Sequence, residues 1–136
     1  MGPLLVLILG TTDFVLGLLV KNSMQYAARE GCRYAITAQT ISGSGQIASI
    51  KTVTQNSSLG FLPDQTKIFV RFYNRSTLSQ NSAIGANSPG NVVKVSIEGF
   101  QWNWLFLQAL TIPALTVNVA AMDVMEPSQN STPPTL

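Results

Sequence analysis

Six carboxylates, one thiol and no imidazole are the groups with which this chain could do chemistry. Proton transfer between two acids, or capture of a metal, needs such groups at tight spacing. The acids are Asp13, Glu30, Asp64, Glu98, Asp123 and Glu126, and no two of them share a tight motif. The absence of His excludes histidine triads, His-ligated zinc and imidazole bases within the chain. Cys32 stands alone, so no internal disulfide can form; beside Ala28 and Ala35 it reads as a small packing residue. Gly43-Ser44-Gly45 lacks the Lys and the strand–loop–helix setting of a phosphate loop. The expectation is a chain that is not an enzyme and has no catalytic residue, metal ligand or cofactor.

Of the acids, Asp13 is the one in an unusual place. It interrupts the run PLLVLILGTTDFVLGLLV, Pro3 to Val20. At the helical rise that run extends roughly 27 Å, enough to cross a hydrocarbon core. A carboxylate near the centre of such a helix costs roughly 2.5–3.5 kcal/mol. Either it pairs with a group on a neighbouring subunit, or it is protonated or shallow. It is therefore an intramembrane pairing candidate. Gly10 and Gly17 are seven apart and do not make a small-xxx-small motif.

The elements that must position these groups follow from periodicity. The apolar run passes without a Gly or Pro break into NSMQYAAREGCRYAITA, Asn22 to Ala38, so one long helix is expected. No A-x-A site follows the run, and Met1-Gly2 carries no side-chain charge, so a retained anchor is favoured over a cleaved signal. Ala27, Gly31 and Ala35 recur every four residues and make a smooth packing stripe. Ile47, Ile50 and Val53 suggest a short second helix, capped by Ser42 or Ser44 and ending near Asn56. Residues 66–73, 93–98 and 115–122 alternate apolar with polar, which predicts a three-stranded antiparallel sheet with one buried face. Between the first two strands lies a polar loop, residues 74–90, read as mobile or disordered, with a binding role as the alternative.

Between the last two strands lies FQWNWLFLQALTIP. Phe100, Trp102, Trp104 and Phe106 form an aromatic cluster read as a partner or membrane interface, against the alternative that it caps the core. The chain divides into an anchor at 1–21, an α+β domain at 22–126 and a disordered Pro-rich tail at 127–136. Charged residues are only 10% of the chain and the net charge of +2 is scattered, so nucleic acid is not an expected partner.

The run PLLVLILGTTDF, followed by Ala27-Ala28-Arg29-Glu30-Gly31-Cys32-Arg33-Tyr34-Ala35, resembles the TadE-like proteins of tight-adherence (Flp) pilus systems. VVKVSIEGF and LTVNVAAMDVMEP are similar to the family's last two strands. The resemblance implies a pilin-like fold, a long helix half in the membrane and half on an antiparallel sheet. It implies a minor pilin or pseudopilin that assists assembly or anchoring of a type IV pilus in a bacterial or archaeal cytoplasmic membrane. Its partners would be other pilin-like subunits, pilus assembly proteins and membrane lipid.

The alternative is a membrane-tethered, extracytoplasmic ligand- or surface-binding module. Lys21, Arg29 and Arg33 follow the apolar run, so the positive-inside rule alone would put the domain in the cytoplasm. The family's basic residues upstream of the run would reverse that. The residues from Met1 onward begin inside the family pattern and do not themselves support prepilin-peptidase processing.

Overall fold

A computed structural model of the chain describes residues 2–127 and 133–136. It is an α+β structure in which one long helix crosses a four-stranded antiparallel sheet. Helix α1 runs from Gly2 to Ile36. Pro3 is tolerated because it lies in the first turn, and no later Pro interrupts the helix. The helix stops where Ala38 turns left-handed, at φ 53°. Ala38 N–H then donates to Ala35 O at 3.1 Å, and Thr37 Oγ1 to Tyr34 O at 2.8 Å. Another end carbonyl of α1, Ile36 O, accepts the distant Glu126 N–H at 3.1 Å, so the exit of the last strand helps cap the helix.

Helix α2, Gln46–Asn56, lies against α1. Gly45 occupies its N-cap, not Ser42 or Ser44. The hydroxyl that serves this end comes from inside the helix: Ser49 Oγ donates to Gly45 O at 2.8 Å and accepts Ile41 N–H at 2.9 Å.

The sheet is formed by β1 (Ile68–Tyr73), β2 (Gln80–Asn81), β3 (Val92–Trp102) and β4 (Leu115–Val124), in the order β2-β1-β3-β4. The three expected strands are β1, β3 and β4. The fourth, β2, is a two-residue strand inside the expected loop, paired with Phe72 and Tyr73. Two polar residues carry no alternation to read. A local turn places them instead: Asn74 Oδ1 accepts the N–H of Ser76 at 2.9 Å, and Asn74 O accepts Leu78 N–H at 2.8 Å.

The core lies between the sheet and the narrow face of α1. Met24, Ala27, Ala28, Cys32 and Ala35 from the helix meet Ile68, Phe72, Val93, Val95, Ile97, Val117 and Val119 from the strands. Ile50 of α2 closes one side. The cross-strand row Ile68, Ile97, Val119 and the row Val70, Val95, Ala121 are in register on the inner face. Small helix residues are what allow these branched side chains to approach the helix backbone.

A polar node closes the far end. The Gln46 side chain is fully buried; its Nε2 donates to Ala35 O at 3.2 Å and its Oε1 accepts Asn87 Nδ2 at 2.5 Å. Asn87 Nδ2 also reaches Pro134 O at 2.7 Å, and Gln46 N–H donates to Thr135 O at 2.8 Å. The tail read as disordered falls partly outside the described residues, at 128–132; residues 133–136 hold this defined position beside α2. Ala86 and Asn87, in the loop read as mobile, are buried.

Candidate membrane and partner interface

The bulge in β3 decides where the aromatic segment goes. Ile97 pairs with Val119 but Phe100 pairs with Val117, so three steps on β3 oppose two on β4. Gly99 takes φ +66°, a conformation that favours glycine, and its N–H donates to Asn118 Oδ1 at 2.7 Å. This extra step reverses the parity of the strand. Before it Val93, Val95 and Ile97 face inward; after it the even-numbered Phe100 and Trp102 do, paired with Val117 and Leu115. Both are half-buried against the core, and Trp102 meets the Phe61 ring edge-on with centroids 5.8 Å apart.

Trp104 and Phe106 separate from that pair. Beyond β3 the chain turns onto the apolar half of α1 and forms a single 3-10 turn, Leu107–Leu110. Trp104 packs over Gly17: an added Cβ there would lie 3.0 Å from its ring and 3.3 Å from Leu115. Leu107 covers Gly10, at 3.5 Å from the corresponding position. Trp104 Nε1 donates to Pro113 O at 2.8 Å, which closes the loop on itself. Phe106 points outward and is exposed. The aromatic cluster is thus divided, with two rings in the core, one on the helix and one free.

Asp13 lies under this loop and has no exposed surface. Its carboxylate accepts the backbone N–H groups of Leu105 at 3.1 Å, Phe106 at 2.7 Å and Leu107 at 2.7 Å. Three convergent donors at the start of a 3-10 turn are a strong local match for a carboxylate. The acceptor capacity that the sequence offers to a neighbouring subunit is therefore used inside the chain.

Gly10, Asp13, Gly17 and Val20 also stand on one line with Met24, Ala27, Gly31 and Ala35, at alternating steps of three and four up to the last. The packing face of α1 continues into its apolar half. The remaining surface there is greasy: Leu4 to Ile8, Phe14, Val15, Leu18 and Leu19 are exposed. Only 17% of the most apolar window of this helix is buried, which a core helix would not show. The Thr11 and Thr12 hydroxyls return to Ile8 O at 2.8 and 2.9 Å, so neither is left unbonded on that surface.

Ala27, Gly31 and Ala35 all lie buried under the sheet and α2. Gly31 is the tightest point, facing Thr54 of α2 and Val95 of β3. These contacts are within the chain.

The outer face of the sheet is polar. Arg71 and Glu98 form an ion pair, with Arg71 Nη2 to Glu98 Oε2 at 3.1 Å, and Ser96 Oγ donates to Glu98 at 2.6 Å. The Arg71 hydrogen bonds, then the Ser96 hydroxyl, hold the Glu98 carboxyl down to about 2. A depressed folded value means that the pair's contribution is complete above the unfolded value of about 4.5 and is lost as pH falls through about 2. Glu98→Gln should therefore cost about 0.5–1 kcal/mol at neutral pH, discounted for the exposure of the pair, and progressively less toward pH 2. Chemical denaturation at a series of pH values checks this; a constant difference would contradict it.

Among the described residues no three Cys, Asp or Glu side chains come together. Comparison with curated proteins and with solved structures gives no match. Residues 1–33, nearly all of α1, match the family model described as TadE-like protein. With a helix long and apolar enough to cross a membrane, that similarity to TadE-like proteins over the N-terminal helix supports a single-pass membrane protein.

Proposed function

We propose that the chain is a non-catalytic, pilin-like structural subunit, a minor pilin or pseudopilin that assists assembly or anchoring of a tight-adherence pilus. The observation that carries this reading is the continuity of α1. Its TadE-like residues begin as an exposed apolar rod and end as the packing spine of a small antiparallel sheet. A filament subunit needs both parts in one rigid body, because the rod that sits in the membrane is the part that transmits position to the domain. On this reading the domain lies on the extracytoplasmic side, and its partners are other pilin-like subunits and assembly proteins.

Co-purification from membranes in mild detergent tests the proposal: pilin or secretion components should accompany the chain, and their consistent absence would refute it. Trp102 and Trp104 distinguish this from a tethered ligand-binding module. Both rings pack internally, so changing both to Ala should disrupt assembly through the position of the loop. Loss of ligand capture with assembly intact would favour the binding module.

A further inference from the structure

The loop between β3 and β4 is fastened to the middle of the apolar run of α1. From Gly17 under Trp104 to Gly10 under Leu107 is about 10 Å along the helix axis. Pro3 to Gly10 alone, at roughly 10 Å, is far too short to cross a bilayer. If α1 spans with its apolar run, the loop enters with it. We infer that residues 104–112 are a second membrane-inserted element, a wedge held in one leaflet by Asp13, and that its occupant is lipid.

Three features of the wedge fit hydrocarbon rather than water or protein. Its large outward side chains are apolar, with Leu105 61%, Phe106 43% and Leu110 54% exposed; of the exposed polar residues, Gln108 and Thr111, the Thr111 hydroxyl returns to Leu110 O at 2.7 Å. No charged residue occurs from Gly99 to Met122. Its irregular backbone is largely satisfied internally, which is the condition for non-helical chain at membrane depth. The amides of 105, 106 and 107 are taken by Asp13, Ala109 N–H goes to Phe106 O at 3.1 Å, and Thr111 N–H to Gln108 O at 3.1 Å. The loop lies against the same apolar half of α1 on which Phe14 is exposed. The carboxylate in the membrane is thus the fastening of the wedge.

The inference rests on the reading of α1 as a membrane span, and the test separates the two. The full chain carrying Trp102→Phe and Trp104→Phe receives one new tryptophan, either by Phe106→Trp or by Phe14→Trp. Leu110→Trp gives a second probe site in the wedge. Each variant is placed in dioleoylphosphatidylcholine vesicles containing lipid brominated in mid acyl chain. The probe at position 106 should be quenched within about twofold of the probe at position 14, and both should resist aqueous iodide. Adding Asp13→Ala should remove lipid quenching at 106 and leave it at 14.

Quenching at 14 without quenching at 106 or 110 overturns the wedge, whether those sites are open to iodide (water) or shielded (a protein partner). Quenching at neither 14 nor 106 overturns the span and the wedge together. Unchanged quenching at 106 after Asp13→Ala overturns the role of Asp13.

Discussion

Asp13→Ala should be among the most damaging single changes in this protein. It orphans three backbone donors at once, those of Leu105, Phe106 and Leu107. Charge-assisted bonds are worth roughly 1.5–3 kcal/mol each, but the loop can detach and so avoid holding all three amides unpaired. The expected loss is therefore about 2–4 kcal/mol, below the sum of the bonds. Asp13→Asn keeps one acceptor oxygen and replaces the other with a donor that faces donors, so its loss should be intermediate. Hydrogen exchange resolves the cause: amides 105–107 should lose protection in both variants while those of β1 keep theirs. Uniform loss of protection across the sheet would mean that Asp13 supports the whole domain and not the loop.

Gly31→Ala should be comparably severe at the other end of the helix. Its new Cβ would lie 2.0 Å from Thr54 Oγ1, 3.2 Å from Thr54 Cβ and 3.3 Å from Val95 Cγ1. The Thr54 hydroxyl is buried and bonded to Ile50 O at 2.8 Å, so it cannot swing away freely. In an exposed helix the same change would gain about 1 kcal/mol of propensity. Here the overlap on two sides outweighs that gain, and a net loss of about 1–3 kcal/mol is expected. For a domain of this size the loss lowers the melting temperature by roughly 5–15 °C. Thr54→Ala removes the nearest atom, so the double variant should recover most of the loss. A thermodynamic cycle with about 1 kcal/mol or more of coupling supports this contact, and strict additivity would count against it.

Much of this architecture is legible in the residues. The helix shows because nothing after Pro3 breaks it, and its sheet-facing stripe shows because Ala27, Gly31 and Ala35 repeat at helical spacing. β1, β3 and β4 show because their apolar residues alternate. The bulge does not show: one glycine in a strand signals a disturbance but not the parity change that turns Phe100 and Trp102 inward. The partners of Asp13 are hidden for a more basic reason. Every residue except proline carries an amide donor, so a site built from backbone leaves no signature in residue types. Gly10 and Gly17 were the available sign, since with Asp13 they extend the buried line of α1. Their spacing fits no helix-pair motif because what covers them is a loop. β2 was hidden because a two-residue polar strand is made by its turn.

The hydrogen bonds of Asp13 join residues 92 to 94 positions apart, and Gln25 reaches Ala120 O across 95. During synthesis the helix is complete long before its covering loop exists. At ordinary translation rates that interval is about 3.5–14 s. Throughout it the carboxylate has none of its eventual donors, and the rest of the apolar run must carry its insertion cost of about 2.5–3.5 kcal/mol. Arrival of residues 105–107 ends this exposure and commits the helix to one depth. The order of emergence thus makes Asp13 a late lock, set only after both helices and the first three strands have been delivered.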